Sequence, residues 1–214
     1  MKRTLWILMV AATLLFVLGL STALADGDVE EYNIWLGNTQ VTSENKDDIF
    51  GDGRASFDAY HGILTLNEPE ISGVKTLDNR KTCIIYGEES FSLKGSYHMS
   101  DAKADYGIYA APVIYHFGSL EIDGDFSFYG SDTGICLPVE GYLELLHGNL
   151  KAVGINNIGI NAPLKLKETC MESIEMEGAK AALSTSTNME LSLPENQLAV
   201  ALPEGGYAKG SNFY

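Results

Sequence analysis

Short runs of alternating apolar and polar residues most strongly constrain how this chain can fold. Such a period of two is typical of β-strands that bury one face. Helical periodicity is almost absent, and the one brief helix candidate, residues 179–183, also fits a strand. Of the 22 glycines, 21 follow residue 25 and separate these runs. The pattern predicts an all-β protein. The runs are 120–122, 126–128, 143–145, 164–166, 174–176, 189–193 and 198–200.

A loose repeat connects these runs. Gly-Ile pairs begin at Gly107, Gly134 and Gly154, at intervals of 27 and 20. Alternating runs begin at Leu120, Leu143 and Leu164, at intervals of 23 and 21, and the spacing degrades afterwards. Repeats of roughly 20–30 residues built from strands and glycine turns predict a right-handed parallel β-helix, a β-solenoid, over 71–214. The alternative is a β-sandwich, whose strands recur every ~8–12 residues.

Residues 26–70 have a different pattern and are expected to form an N-terminal cap. Candidate strands cover 32–36, 39–42, 54–57 and 63–66. Asp58 and Gly62 bound the segment between the last two, which suits a tight loop joining antiparallel strands. Such a hairpin would cover the unpaired edge and apolar surface at the end of a solenoid.

Residues 1–25 have the composition of an export signal. Lys2 and Arg3 precede an apolar stretch, residues 5–20, and Ala23 and Ala25 form a small-residue cleavage pattern. The alternative is an uncleaved anchor, but the apolar stretch falls short of the ~20 residues that a span needs. We therefore expect a secreted or cell-surface protein without a stable membrane span after cleavage.

The charge of the chain excludes one class of partner. The formal net charge is −15, and it becomes −17 when the leader with its two basic residues is removed. Nucleic-acid binding needs concentrated Lys and Arg, so it is excluded. The hydrophobic fraction of 45% is also high enough for a buried core and opposes disorder.

A longer motif in the N-terminal region resembles a known family. Residues 32–53 (YNIWLGNTQVTSENKDDIFGDG), followed by 56–58 and 62–67, are similar to the opening of bacterial secreted proteins described as carbohydrate-binding-domain-containing or adhesin-like. The resemblance implies an exported protein with β-helical repeats that recognises a polysaccharide or a glycan of a host or cell surface. It covers residues 32–67 closely and 105–200 more loosely.

Aromatic side chains are the candidates for sugar binding, because their faces can stack on sugar C–H groups. The candidates are Trp35, Tyr109, Tyr115 and Tyr129. Tyr129 is included because the two phenylalanines of run 126–128 share one face and leave Tyr129 on the other. The alternative is that these tyrosines cover the core with only the hydroxyl exposed.

Two aspartate clusters are candidates for calcium, which needs about six to eight oxygen ligands. Asp47, Asp48 and Asp52 form one cluster, and Asp123 and Asp125 form the other. Neither fits the EF-hand spacing or the calcium-binding nonapeptide of other β-helices. The alternative is that these aspartates form turns, where their side chains bond to nearby backbone groups.

The cysteines and the absence of catalytic motifs argue against an enzyme. Cys83, Cys136 and Cys170 are expected to be buried thiols, with one disulfide left open. No nucleophile elbow, zinc-protease or phosphate-loop motif is present, and no catalytic residue is assigned. Two alternatives to glycan binding remain open: a β-helix polysaccharide lyase or glycosidase, and an adhesive module that binds a protein partner.

Overall fold

The protein is built from β-strands. The computed structural model describes residues 28–88, 90–111, 119–137, 142–162, 164–166, 170–184, 190–191, 199–202 and 207–208. No helix occurs among these residues, so the all-β prediction is confirmed. The predicted export signal, residues 1–25, lies outside them. All the strands belong to the unit formed by Glu31–Tyr214.

Eighteen strands follow one another along the chain. They are β1 (Glu31–Leu36), β2 (Thr39–Thr42), β3 (Ala55–Asp58), β4 (Ile63–Asn67), β5 (Lys75–Thr76), β6 (Thr82–Gly87), β7 (Phe91–His98), β8 (Tyr106–Ala110), β9 (Ser119–Gly130), β10 (Thr133–Cys136), β11 (Tyr142–Gly154), β12 (Ile158–Asn161), β13 (Leu164–Leu166), β14 (Cys170–Gly178), β15 (Ala181–Ser184), β16 (Glu190–Leu191), β17 (Ala199–Leu202) and β18 (Tyr207–Ala208).

The strands form two mixed sheets. The first has the order β15-β12-β10-β8-β6-β1-β2, with β5 also paired to β6. The second has the order β18-β17-β14-β11-β9-β7-β4-β3, with β13 paired to β11 and β16 paired to β13. Parallel pairing runs from β6 to β15 in the first sheet and from β4 to β17 in the second. Antiparallel pairs adjoin both series: β1–β2, β1–β6, β5–β6, β3–β4 and β17–β18.

Matching residues in the first sheet recur at nearly regular intervals along the chain. The buried residues Ile85, Ile108, Ile135 and Ile160 occupy equivalent positions on successive strands. The assignment of Gly154-Ile155 to this repeat is therefore wrong, because the pair at the equivalent position is Gly159-Ile160. Ile155 instead is 52% exposed and follows the end of β11, which explains the irregular second interval of the predicted series.

In the second sheet the leucines that begin the repeated runs pair with one another. Leu120 pairs with Leu143, and Leu143 pairs with Leu164. The run at 174–176 belongs to a separate series, in which Phe126, Leu150 and Ile174 pair at equal intervals. The spacing degrades after Leu164 because the two series interleave along the chain.

The core lies against the apolar faces of these strands. Phe126 and Phe128 are at most 1% exposed, and their rings stack with centroids 5.7 Å apart. Burying an aromatic side chain of this kind fully contributes about 1.5–3 kcal/mol relative to leaving it exposed. Both predicted runs, 120–122 and 126–128, belong to the single strand β9, and Gly124 lies between them.

Gly124 has a φ of +143°, a conformation that L-residues with side chains rarely adopt. It is paired with Gly95 of β7, and Gly148 of β11 lies on its other side. A Cβ atom on Gly124 would be 1.9 Å from the carbonyl oxygen of Gly95. An added Cβ atom at Gly95 or Gly148 would likewise collide with a carbonyl oxygen of the neighbouring strand, so all three positions require glycine.

The N-terminal region contains the predicted hairpin. Strands β3 and β4 pair antiparallel from Ala55–Leu66 to Asp58–Ile63, so the prediction of a loop between Asp58 and Gly62 is confirmed. Asp58 Oδ1 accepts hydrogen bonds from the amides of Tyr60 and His61. The outer edge of β3 is covered by the preceding loop, since the Phe57 amide donates to the Lys46 carbonyl at 2.6 Å.

Candidate aromatic binding groove

Three aromatic side chains stand opposite one another on adjacent strands of the first sheet. Trp35 of β1 pairs with Tyr86 of β6, and Tyr86 pairs with Tyr109 of β8. The neighbouring residues Ile85 and Ile108 are fully buried, whereas the three aromatic residues are half-buried. The rings of Tyr86 and Tyr109 are stacked, with centroids 6.2 Å apart and planes 11° apart. We call Trp35, Tyr86 and Tyr109 the aromatic ladder.

The aromatic ladder forms the floor of a groove with a volume of about 550 Å³. Polar groups surround the rings, and they include acceptors and donors suited to hydroxyl-rich ligands. The carboxylates are Glu31, Asp78 and Glu88, the amides are Asn33, Gln40 and Asn79, and the cation is Lys75.

Lys75 lies over the aromatic ladder. Its ammonium nitrogen is 3.5 Å from the centroid of the Trp35 ring and 5.8 Å from that of Tyr86. This geometry is a cation–π interaction, in which the negative face of the ring attracts the ammonium group. Strand β5 places the lysine there by pairing antiparallel with the start of β6, where Lys75 is opposite Cys83.

The two tyrosines of the groove are held in the neutral form. Burial raises the pKa of Tyr86, and the neighbouring Glu88 raises it further by accepting a hydrogen bond of 2.6 Å from the hydroxyl. Burial also raises the pKa of Tyr109. The Tyr86–Glu88 bond fixes one ring and one carboxylate of the groove relative to each other.

Next to the aromatic ladder is a small apolar cluster of Cys83, Tyr106 and Cys136. Burial raises the pKa of the Cys83 thiol to about 12 and that of Cys136 to about 11. Both cysteines are buried and free, so the buried-thiol prediction is confirmed for them. The Cys83 thiol is 3.8 Å from the Lys75 carbonyl oxygen, to which it donates, and this contact helps to hold β5. The side chain of Cys170 lies outside the part of the chain that is described.

The structure brings together two of the four predicted sugar-binding residues, Trp35 and Tyr109. Tyr129 is on β9 in the other sheet, half-buried and packed against the main core. Tyr115 falls within residues 112–118, outside the described part of the chain. Sequence reasoning did not select Tyr86, although Tyr86 is as far from Tyr109 along the chain as Ile85 is from Ile108.

The carboxylates of the first predicted calcium cluster have local partners. Asp48 Oδ1 accepts hydrogen bonds from the amides of Asp52 and Gly53, at 3.1 and 3.0 Å. Asp52 Oδ1 accepts from the amide of Arg54 at 3.0 Å, and Asp47 pairs with Lys46 at 2.8 Å. These bonds are typical of turn-forming aspartates.

The second cluster is bonded across neighbouring strands. Asp123 is 2.9 Å from Nδ1 of His147, and Asp125 accepts from both the backbone and side-chain amides of Asn149. Among the residues whose positions are described, no three His, Cys, Asp or Glu side chains converge as a metal site would require. Calcium binding by either cluster stays a prediction.

A second concavity, of about 530 Å³, lies beside the β3–β4 hairpin. Its lining includes Tyr60, which is 91% exposed, and Asp58, whose carboxylate is 2.7 Å from Nδ1 of His61. This second concavity has one exposed aromatic ring, that of Tyr60, whereas the aromatic groove has the three rings of the aromatic ladder. The aromatic groove is therefore the better candidate for an extended ligand.

Comparison with protein-family models, curated proteins and solved structures finds no match to this chain. Over the described residues, no helix has both the length and the apolar character needed to cross a membrane. Function is therefore inferred from the groove itself.

Proposed function

We propose that the protein is an exported, non-catalytic carbohydrate-binding or adhesin-like protein that binds a polysaccharide along the aromatic ladder. The observation that carries the proposal is the row formed by Trp35, Tyr86 and Tyr109 on adjacent strands. Neighbouring strands are about 4.8 Å apart, so the three rings follow one another closely along the groove, with the Lys75 ammonium over the face of Trp35. Apolar surface with a few placed polar groups is typical of ligand sites.

The polar rim supports a sugar ligand over a purely apolar one. Asn33, Gln40 and Asn79 can both donate to and accept from hydroxyl groups, and the carboxylates can accept. Glu88 is already oriented by the Tyr86 hydroxyl, which suits a fixed acceptor in a binding site. We assign no catalytic residue in the groove.

We further propose that the two sheets are faces of a right-handed parallel β-helix capped by residues 26–70. Two features support this proposal. Successive strands from β6 to β12 alternate between the sheets, and strands adjacent within a sheet over that span are parallel. Crossovers between parallel strands are right-handed in about 98% of cases. The leader of residues 1–25 and the family resemblance of 32–67 support export.

The test is retention on insoluble polysaccharides and a glycan array, using residues 26–214. We expect the wild type to bind at least one glycan, and Trp35→Ala and Tyr109→Ala to bind at least tenfold more weakly, which corresponds to about 1.4 kcal/mol. Tyr60→Ala is the matched control, because Tyr60 is an exposed tyrosine outside the groove. Circular dichroism checks that each variant is folded.

Three results would overturn the proposal. If no glycan is retained, the binding function is wrong. If soluble products are released from a retained polysaccharide, the protein is an enzyme. If a protein partner is captured and no sugar is bound, the adhesive alternative is correct.

A further inference from the structure

We infer that the groove selects glycans that carry positively charged amino groups, such as glucosamine oligomers, over neutral and acidic glycans. This inference rests on the proposed carbohydrate-binding function and specifies its ligand class. The observation behind it is that an ammonium group, that of Lys75, already lies 3.5 Å from the Trp35 ring centroid. The lysine shows what chemistry the floor of the groove accommodates.

The charged side chains around the aromatic ladder also favour a positively charged ligand. The groove is lined by three carboxylates, Glu31, Asp78 and Glu88, and by one cation, Lys75. Glu31 and Asp78 are exposed, so they are accessible to a ligand. An ammonium group on a sugar can pair with these carboxylates while the sugar ring stacks on a tyrosine. A uronic acid would bring its carboxylate beside like charges, which is unfavourable.

The Lys75 ammonium group then competes with the amino group of the sugar for the face of the Trp35 ring. The ammonium group covers the face of Trp35, so a cationic sugar that stacks there must displace it. The Lys75→Met variant removes the charge and keeps an unbranched side chain. We expect this variant to bind an amino sugar at least threefold more tightly than the wild type, because the ring face is released and one positive charge leaves the groove.

The control for Lys75→Met is Lys94→Met. Lys94 is an exposed lysine on β7, in the other sheet, and it does not line the groove. Both substitutions change the net charge of the protein by the same amount. A general effect of net charge would therefore strengthen binding equally in the two variants, whereas an effect of the groove is confined to Lys75→Met.

The experiment is isothermal titration calorimetry of residues 26–214 with four hexasaccharides at pH 5.5 and 50 mM salt. The ligands are hexamers of glucosamine, N-acetylglucosamine, glucose (cellohexaose) and galacturonic acid. We expect glucosamine hexamer to bind at least tenfold more tightly than the other three. The difference should narrow at 500 mM salt, where exposed charges are screened within about 4–5 Å. Asp78→Asn should weaken binding of the glucosamine hexamer more than that of cellohexaose, because the amide keeps an acceptor oxygen for hydroxyl groups but loses the negative charge.

The outcomes separate this inference from the proposed function. If the neutral or acidic hexamers bind as tightly as glucosamine hexamer, the charge selectivity is wrong and carbohydrate binding stands. If a lysine hexapeptide binds as tightly as the sugar, the groove recognises ammonium groups in general and the inference is wrong. If no hexamer binds, the inference is wrong, and the polysaccharide screen decides the proposed function independently.

Discussion

Gly124→Ala is expected to destabilise the protein far more than an alanine substitution at an unconstrained glycine. Gly124 has a φ of +143°, and an added Cβ would be 1.9 Å from the carbonyl oxygen of Gly95. A strained backbone conformation of this kind costs about 1–3 kcal/mol. Overpacking adds typically ~1–3 kcal/mol, since one of two paired strands must shift. We therefore expect a loss of about 2–6 kcal/mol in the free energy of unfolding.

Gly51→Ala is the matched control, because Gly51 has a φ of +75° and no atom within 4 Å of an added Cβ. Its expected cost is the conformational one alone, about 1–2 kcal/mol. The assay is thermal and urea unfolding followed by circular dichroism. A difference of about 2 kcal/mol between the variants corresponds to a difference in Tm of about 4–8 °C at this chain length. Equal stability of the two variants would refute the predicted collision between a side chain at Gly124 and the backbone of β7.

Three further predictions concern acid stability, thiol reactivity and calcium. Burial opposes ionisation of Asp105, but hydrogen bonds from the Thr82 amide and hydroxyl and from Lys81 lower its pKa below 3.8. Asp105→Asn should thus lower the free energy of unfolding at pH 7, and its difference from the wild type should shrink as the pH falls through the pKa of folded Asp105. A difference that does not shrink on acidification contradicts this. Cys83 and Cys136 should resist iodoacetamide at pH 8 in the folded protein and react in urea, as measured by peptide mass spectrometry; alkylation without denaturant would contradict their burial. Because neither aspartate cluster lines the groove, EDTA should leave glycan retention unchanged, and loss of retention would place calcium in the site.

The sequence predicted the strands well because each buries one face, and the period of two reports that burial directly. The repeat that begins at Leu120, Leu143 and Leu164 matches the pairing of these residues in the second sheet. The prediction failed at Ile155, because the sequence alone does not distinguish an exposed isoleucine that follows a strand from a buried one within a strand. Only the pairing of Ile135 with Ile160 distinguishes the two positions.

The groove was predictable only in part, for a different reason. Trp35 and Tyr109 were selected as aromatic residues, but nothing in their wide separation along the chain indicates that they share a site. They meet because β1 pairs antiparallel with β6 and β8 pairs parallel with it. Lys75 could not be predicted, since its position depends on the very short strand β5 pairing with the start of β6.

The same register that stacks the core also sets the length of the aromatic ladder. The interval that aligns Ile85 with Ile108 inside the protein aligns Tyr86 with Tyr109 on the other side of the sheet. The next residue in that row is Cys136, which is 5% exposed, followed by Asn161. The row of rings therefore ends after β8 in one direction. In the other direction it ends with Trp35 of the N-terminal region, so a change to the β1–β2 hairpin should alter glycan binding as well as stability.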